Sequence, residues 1–192
     1  AVGMAILTYA TVISNVGLPI LGVRSIATKT DSIQGLVRSI CSARFLLSVL
    51  SFIISIAILI ICVEEQNTRN IAIIFLFTLF PSALMLEWLF QGLEKMMVLA
   101  IGRIIGMFTY LLIITLLVSK SDDIYWAPCA WCVGSLIQTI YLWINYKQLR
   151  IPNNSENKPL PIFKIIRQGI PLGIGEFISR VVIQFPFIYL GF

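Results

Sequence analysis

The stretch from residue 45 to residue 63 reads "FLLSVLSFIISIAILIICV" and contains no charged residue in 19 positions. A helix that crosses a bilayer needs about 20 mostly apolar residues, because each residue advances it by about 1.5 Å. The run is continuously apolar and does not alternate, which argues against a strand of a membrane barrel. This stretch therefore predicts a transmembrane helix.

Five further apolar segments accompany this one. They cover residues 1–23, 71 to about 90, about 96 to 118, 124–146, and a run that starts near residue 162. Backbone polar groups find no water partner in lipid, so segments of this kind must form helices. The sequence therefore predicts an all-α integral membrane protein, a bundle of about six transmembrane helices.

The composition favours the same class and excludes others. The chain is 58% hydrophobic and 12% charged, whereas a soluble domain carries roughly 25% charged residues. Histidine is absent, which removes the commonest metal ligand, and we expect neither a metal nor a cofactor. The net charge of +5 is scattered over loops, so nucleic-acid binding is not expected.

The charges of the predicted loops indicate an orientation, because Lys and Arg mark the cytoplasmic side. The first and last of these loops are net positive, with Arg38 and Arg44 counted in the first, and the outer loops are net negative. This alternation predicts that Asp122 faces the outside. It predicts that Asn154 and the joint at residues 87–95 face the cytoplasm.

That joint begins the stretch "EWLFQGLEKMM" at residues 87–97. Physical chemistry alone makes Trp88 an interfacial anchor, lets Gly92 form a sharp turn, and starts the next helix at Glu94, where a carboxylate suits the helix dipole. This account leaves the order W-x-x-Q-G-x-E-K unexplained. The candidate gate or joint residues are Glu87, Trp88, Gln91, Gly92, Glu94 and Lys95.

The order of these residues resembles the signature at the cytoplasmic joint of two helices in Wzx-type O-antigen flippases. These are polysaccharide transporters of the multidrug/oligosaccharidyl-lipid/polysaccharide exporter superfamily. The stretch "NVGLPILGVRSIATKTD" at residues 15–31 resembles the pattern after the second helix of the same family. The two motifs lie about seventy positions apart, with spans and loops between them as in the family, and the resemblance covers all 192 residues.

The resemblance implies a flippase of two lobes that works by alternating access. Residues 1–149 would form five helices of the first lobe, residues 150–161 the cytoplasmic inter-lobe linker, and residues 162–192 the first helix of the second lobe. The family's own first helix and most of its second lobe would then lie outside the chain.

The function that the resemblance implies is translocation of a polyprenyl-pyrophosphate-linked oligosaccharide across the bacterial inner membrane, for O-antigen and lipopolysaccharide synthesis. The implied partners are this lipid-linked oligosaccharide and membrane lipids, and a polysaccharide polymerase fits as a further partner. Enzymatic activity is not expected.

Charged residues within the predicted spans are the strongest site candidates. A charge at mid-bilayer costs about 2.5 kcal/mol or more on insertion scales, so it usually faces a cavity or a partner. Glu176 lies roughly 13 Å beyond Arg167 along a helix, and Arg180 follows on the same face. The pair either lines a cavity or is a structural ion pair. Pro171 and Pro186 predict a broken or kinked helix around it.

Arg103 lies about 12 Å into the fourth predicted helix, between Gly102 and Gly106. It either lines a path for an anionic headgroup or extends towards the interface, while the two glycines permit close helix contact. Asn15 is expected to form an interhelix hydrogen bond. The substrate-binding candidates are Arg24, which matches the family's motif arginine, and Arg103, Glu176 and Arg180.

Three other functions stay open. One is export of a drug or another lipid by the same superfamily. Another is a membrane-embedded glycosyltransferase or polymerase, which Asp122 and Asp123 would favour because such enzymes need carboxylates. The third is a non-catalytic scaffold, against which the charges within the spans argue. The C-x-x-C at residues 129–132 has apolar neighbours and no βαβ pattern, which favours buried small residues over a redox pair.

Overall fold

The computed structural model describes residues 2–28, 32–62, 65–118, 125–149 and 161–189. Within these ranges the chain is almost entirely helical and has no strand, which confirms the predicted all-α membrane helix bundle. The helices are α1 (Val2–Asn15), α2 (Leu18–Ala27), α3 (Ile33–Cys62), α4 (Gln66–Leu76), α5 (Leu79–Leu84), α6 (Glu87–Gly92), α7 (Met96–Leu117), α8 (Trp126–Gln148) and α9 (Ile162–Tyr189).

The first predicted helix is in fact two helices, α1 and α2. Val16 and Gly17 separate them and adopt left-handed conformations, with φ values of 41° and 67°. Pro19 then occupies the first turn of α2, where its missing N–H costs nothing. A left-handed valine is unusual because its β-branched side chain crowds the backbone, so tertiary contacts must hold this break.

Helix α3 begins well before residue 45, where the sequence predicted its start. It contains Arg38 and Arg44, which the loop count had assigned to a connection. The prediction was wrong because the first turns of α3 carry polar residues, both exposed and buried, among the apolar ones and so lack a continuous apolar run. Arg44 lies about 16 Å from the start of the helix.

The third predicted helix is also interrupted, and forms α4, α5 and α6. Phe77 and Thr78 separate the first two, and Met85 and Leu86 separate the last two. Met85 is extended, with ψ of 126°, and Pro81 lies within α5. The breaks change the direction of the chain just before Glu87, which becomes the first residue of α6.

Helices α7 and α8 agree with the predicted segments and pack closely through glycines. A Cβ placed on Gly134 of α8 would lie 2.7 Å from the carbonyl oxygen of Gly106 on α7. A Cβ on Gly102 would lie 3.2 Å from the Tyr141 ring. The expectation that Gly102 and Gly106 permit close helix contact is therefore confirmed.

Helix α9 runs without interruption from Ile162 to Tyr189, so it is not broken at its prolines, while a kink there stays a prediction. It crosses the α1–α2 break, where Gly169 and Gly173 face the backbone of Val16. A Cβ on Gly169 would lie 2.6 Å from the Val16 carbonyl oxygen. Only glycines allow this approach, so α9 supports the unusual backbone at residues 16–17.

Five segments of the described residues are long and apolar enough to cross a membrane by length and composition. They are Ala10–Ala27, Ile33–Ile61, Gln66–Gly92, Met96–Leu117 and Trp126–Gln148. Helix α9 is not one of them, and its first turns carry Lys164 and Arg167. Many large apolar side chains point outward, such as Ile104 and Phe108 of α7, as expected for a surface against lipid.

The core between the helices has two parts. One joins α2, α3, α6, α7, α8 and α9 around Trp88, Phe90 and Leu142, all of which are almost fully buried. The other joins α1, α3, α4 and α5 around Leu59 and Leu76. Polar side chains lie between and beside these two parts.

Candidate functional site

Glu87, Arg103 and Gln138 form a polar cluster that joins α6, α7 and α8. The Arg103 guanidinium donates two hydrogen bonds to the Glu87 carboxylate, from Nε to Oε1 at 3.1 Å and from Nη2 to Oε2 at 2.7 Å. Gln138 Nε2 donates to Glu87 Oε1 at 2.7 Å. A planar guanidinium matches a carboxylate in this two-pronged geometry, which fixes both side chains.

The local fold explains how three distant positions meet. The α5–α6 break turns the chain so that Glu87 projects from the first turn of α6. Arg103 lies two turns into α7, and the close contact of Gly106 with Gly134 brings α8 near enough for Gln138 to reach the same carboxylate. Gly106 and Gly134 thus permit the hydrogen bond from Gln138 to Glu87 as well as close helix packing.

The cluster lines a cavity of about 500 Å³ among the membrane helices. Thr8 and Thr11 of α1, Tyr110 of α7, and Trp131 of α8 also line it, with Ser82, Ser135 and Thr78 beside them. The Arg103 side chain is 51% exposed and that of Glu87 is 24% exposed, so a ligand in the cavity can reach both. A concave site with a few convergent polar groups is the usual form of a small-molecule site.

A second polar cluster surrounds Arg44, which is only 5% exposed. Its Nε and Nη2 donate to Asn15 Oδ1, at 3.2 and 2.8 Å. Nη1 donates to the Met85 carbonyl oxygen at 3.0 Å, and Nη2 also donates to the Ser82 carbonyl oxygen at 2.6 Å. The guanidinium therefore ties the end of α1 to the α5–α6 break, and the interhelix hydrogen bond predicted for Asn15 is confirmed.

The predicted joint divides into two faces in the structure. Glu87 faces the cavity, whereas Trp88 is buried against Gly22 of α2. The interfacial position predicted for Trp88 is therefore wrong. Gly92 also faces α2, because a Cβ there would lie 2.9 Å from the Cβ of Ile26.

The turn itself depends on Glu94 and not on Gly92. Gly92 is the last helical residue of α6, while Glu94 adopts a left-handed backbone with φ of 58° and lies outside α7, which begins at Met96. The predicted roles of these two residues are therefore wrong: Gly92 provides a close approach, and Glu94 makes the turn. Glu94 and Lys95 are exposed, and Gln91 is half-buried.

The other predicted site residues lie elsewhere. Arg24 is exposed near the end of α2, and Glu176 is half-buried on α9; neither is among the residues that line the described cavity. The side chain of Arg180 lies outside the described residues, so the Glu176–Arg180 pair stays a prediction. Asp122, Asp123 and Asn154 also lie outside the described residues, so the predicted orientation is likewise untested.

Sequence reasoning missed several residues of these clusters. Arg44 was assigned to a loop, and Gln138, Tyr110 and Trp131 were read as parts of apolar spans. A signal for Gln138 was present, because it is an amide in a helix interior, four residues after Gly134 and so on the same helix face. No comparable signal marks the aromatic pair, whose rings meet edge to face at 5.3 Å.

The cluster chemistry does not indicate a metal site. No group of three or more His, Cys, Asp or Glu side chains that could hold a metal ion occurs within the ranges that the structure describes. Cys129 and Cys132 are free thiols in α8. A membrane bundle with an internal cavity of mixed charge and hydroxyl groups is instead typical of proteins that handle a polar solute within the bilayer.

Fold and site together define an all-α, multi-pass membrane protein with a cavity among its helices that contains a polar cluster. A family model described as "Polysaccharide biosynthesis protein" matches residues 1–192. The chain therefore belongs to the polysaccharide biosynthesis protein family, which confirms the resemblance to Wzx-type flippases. No curated protein and no solved structure matches the chain.

Proposed function

We propose that the protein is a flippase that moves polyprenyl-pyrophosphate-linked oligosaccharide units across the bacterial inner membrane, for O-antigen or related polysaccharide synthesis. The observation that carries this proposal is the position of Arg103. Its guanidinium is half-exposed in a polar cavity among membrane helices, in a chain of the polysaccharide biosynthesis family.

The Glu87–Arg103 pair suits a site that binds and releases an anion. Arg103 keeps N–H donors on Nη1 that no hydrogen bond to Glu87 uses. An acidic group of the substrate can therefore bind first and then compete with Glu87 for the guanidinium. The pair forms again after release, and while the substrate holds the guanidinium the Glu87 carboxylate can keep the hydrogen bond from Gln138.

In alternating access, the cluster would also couple substrate binding to movement of the helices. Glu87 belongs to the joint between α6 and α7, so exchange of its carboxylate for a substrate anion would loosen that joint. Loading of the cavity and movement of the helices would then be linked. Arg24, Glu176 and Arg180 remain proposed contacts along the rest of the path.

The test is a transport measurement with the full chain in liposomes. A lipid-linked oligosaccharide is placed in both leaflets, and an impermeant glycosidase reports how fast the protected sugars reach the outer face. We expect protein-dependent movement that Arg103→Ala slows by about tenfold or more, the loss expected for one charge-assisted contact. Arg167→Ala removes an exposed arginine from α9 and is the matched control.

Two results would overturn the proposal. Equal movement of polyprenyl lipids with and without sugars would favour a general lipid exporter. Elongation of the glycan by the protein, with no change of leaflet, would favour a glycosyltransferase or polymerase.

A further inference from the structure

Four serine and threonine hydroxyl groups around the cavity share one feature: each uses its only hydrogen on a carbonyl oxygen of its own chain segment. Thr11 Oγ1 donates to the Thr8 carbonyl at 2.7 Å, and Thr78 Oγ1 to that of Phe75 at 2.6 Å. Ser82 and Ser135 make the same kind of bond, both at 2.8 Å. A hydroxyl has one hydrogen and two lone pairs, so these four offer the cavity acceptors only.

Gln138 and Glu87 add further acceptors. Glu87 can only accept when ionised, so the Gln138 amide must turn its Nε2 towards the carboxylate. Its Oε1 is then the free end and lies on the side of Gly106, where a Cβ would meet it at 3.1 Å. The donors among these side chains are the guanidinium of Arg103 and the single hydroxyl of Tyr110.

This distribution of donors and acceptors indicates which part of the proposed substrate, the pyrophosphate or a sugar residue, the cavity can bind. A substituted pyrophosphate carries many acceptors and no donor at neutral pH, so the acceptor groups of the cavity would repel it. A sugar ring brings several hydroxyl donors, and an acidic sugar adds one carboxylate for Arg103. The apolar C–H face of a sugar ring also suits an aromatic wall, which Trp131 and Tyr110 provide.

We infer that this cavity is a subsite for one sugar residue of the oligosaccharide, with a preference for a sugar that carries a carboxylate, and that the pyrophosphate binds elsewhere. The inference rests on the proposed function and names which part of the substrate this site holds. The volume of about 500 Å³ fits the range of small-ligand sites and is too small for a whole lipid-linked oligosaccharide.

The test measures binding of soluble probes to the full chain in lipid nanodiscs. The probes are methyl glucoside, glucuronate and inorganic pyrophosphate, followed by saturation-transfer NMR for the sugars and by ³¹P line width for the pyrophosphate. We expect both sugars to bind, glucuronate about tenfold more tightly, and pyrophosphate to show no binding that depends on the cavity. Arg103→Ala should remove the advantage of glucuronate over the neutral glucoside.

Two matched pairs of variants test whether the sugar probes bind in the cavity. Trp131→Ala should weaken sugar binding about tenfold, whereas Trp126→Ala, which removes an equally exposed tryptophan outside the cavity lining, should not. Thr11→Val should weaken it severalfold, whereas Thr109→Val should have no effect. Thr109 makes the same kind of intrahelical bond but does not belong to the lining.

Tighter binding of pyrophosphate than of either sugar would overturn the inference. Sugar binding that is unchanged by substitution of Trp131, Thr11 and Arg103 would overturn it too. This outcome differs from a failure of the proposed function. If lipid-linked oligosaccharide still changes leaflet while no sugar binds here, only the subsite is wrong. If sugars bind here but no lipid-linked sugar moves, the flippase proposal is wrong.

Discussion

Two arginines in membrane helices show how the partners of a guanidinium decide its role. Arg44 is buried, and the described hydrogen bonds of its guanidinium go to backbone carbonyls and to the Asn15 amide. Arg103 is half-exposed and holds a carboxylate in a cavity. Backbone carbonyls cannot leave without unfolding the chain, whereas a carboxylate side chain can be exchanged for another anion.

The contrast assigns a structural role to Arg44 and a substrate-binding role to Arg103. Arg44 fixes the α5–α6 break, and that break directs Glu87 towards Arg103. Ser82 and Met85, whose carbonyl oxygens accept from Arg44, also line the cavity, so the two clusters are neighbours. Substitutions in the first cluster should change stability, and substitutions in the second should change transport.

The largest effect is expected for Arg44→Leu. It leaves Asn15 Oδ1 and the Met85 carbonyl without this donor, and each such loss costs about 1–3 kcal/mol. The amount of inserted protein and its melting temperature in detergent should both fall sharply. Arg38→Leu, an exposed arginine on the same helix, is the control, and equal behaviour of the two variants would contradict the framework role.

Arg103→Ala should affect transport far more than stability. The ion pair is partly solvated, and pairs of this kind contribute only about 0–1 kcal/mol to stability. We therefore expect a melting temperature close to that of the unchanged protein and at least about a tenfold loss of transport per inserted molecule. A large drop in melting temperature would show that the two arginines play the same role.

Gly92→Val should have an intermediate effect on folding. The new side chain would press on Ile26 of α2, and overpacking of this kind costs about 1–3 kcal/mol. A thermal melt checks the expected destabilisation, and Ile26→Ala should partly relieve it by making room. Failure of the second change to recover any stability would show that contact with α2 is not the reason.

The smallest effect should come from Glu94→Gly in the same joint. Glu94 holds a left-handed backbone, which costs roughly 1 kcal/mol in a residue with a Cβ and costs glycine little. The variant should melt at the same temperature as the unchanged protein or slightly higher. A clear loss of stability would mean that the Glu94 side chain makes a necessary contact.

Sequence alone predicted the class and most helices because long apolar runs are a local signal. It placed α7 and α8 within about two residues at each end. The helix breaks were not predictable in the same way. Val16 has no local reason to be left-handed, and its conformation depends on Gly169 and Gly173 of α9, about 150 positions away.

The sequence singled out some residues of the cavity lining but not their arrangement. Glu87 and Arg103 were both candidates, yet nothing in the sequence showed that they pair across two helices. Arg44 was not assigned to a helix for another reason, because the first turns of α3 contain polar residues and so give no apolar signal. Distant pairings of this kind depend on helix packing, which a single sequence does not display.

The most direct test of the central claim is transport by the charge-swapped variant Glu87→Arg/Arg103→Glu, measured per inserted molecule. The swap can keep an ion pair between α6 and α7 but moves the guanidinium to the other side of the pair. If Arg103 binds the substrate, the variant should insert and melt nearly normally while its transport stays at the level of Arg103→Ala. Recovery of transport to the level of the unchanged protein would show that the pair only holds two helices together.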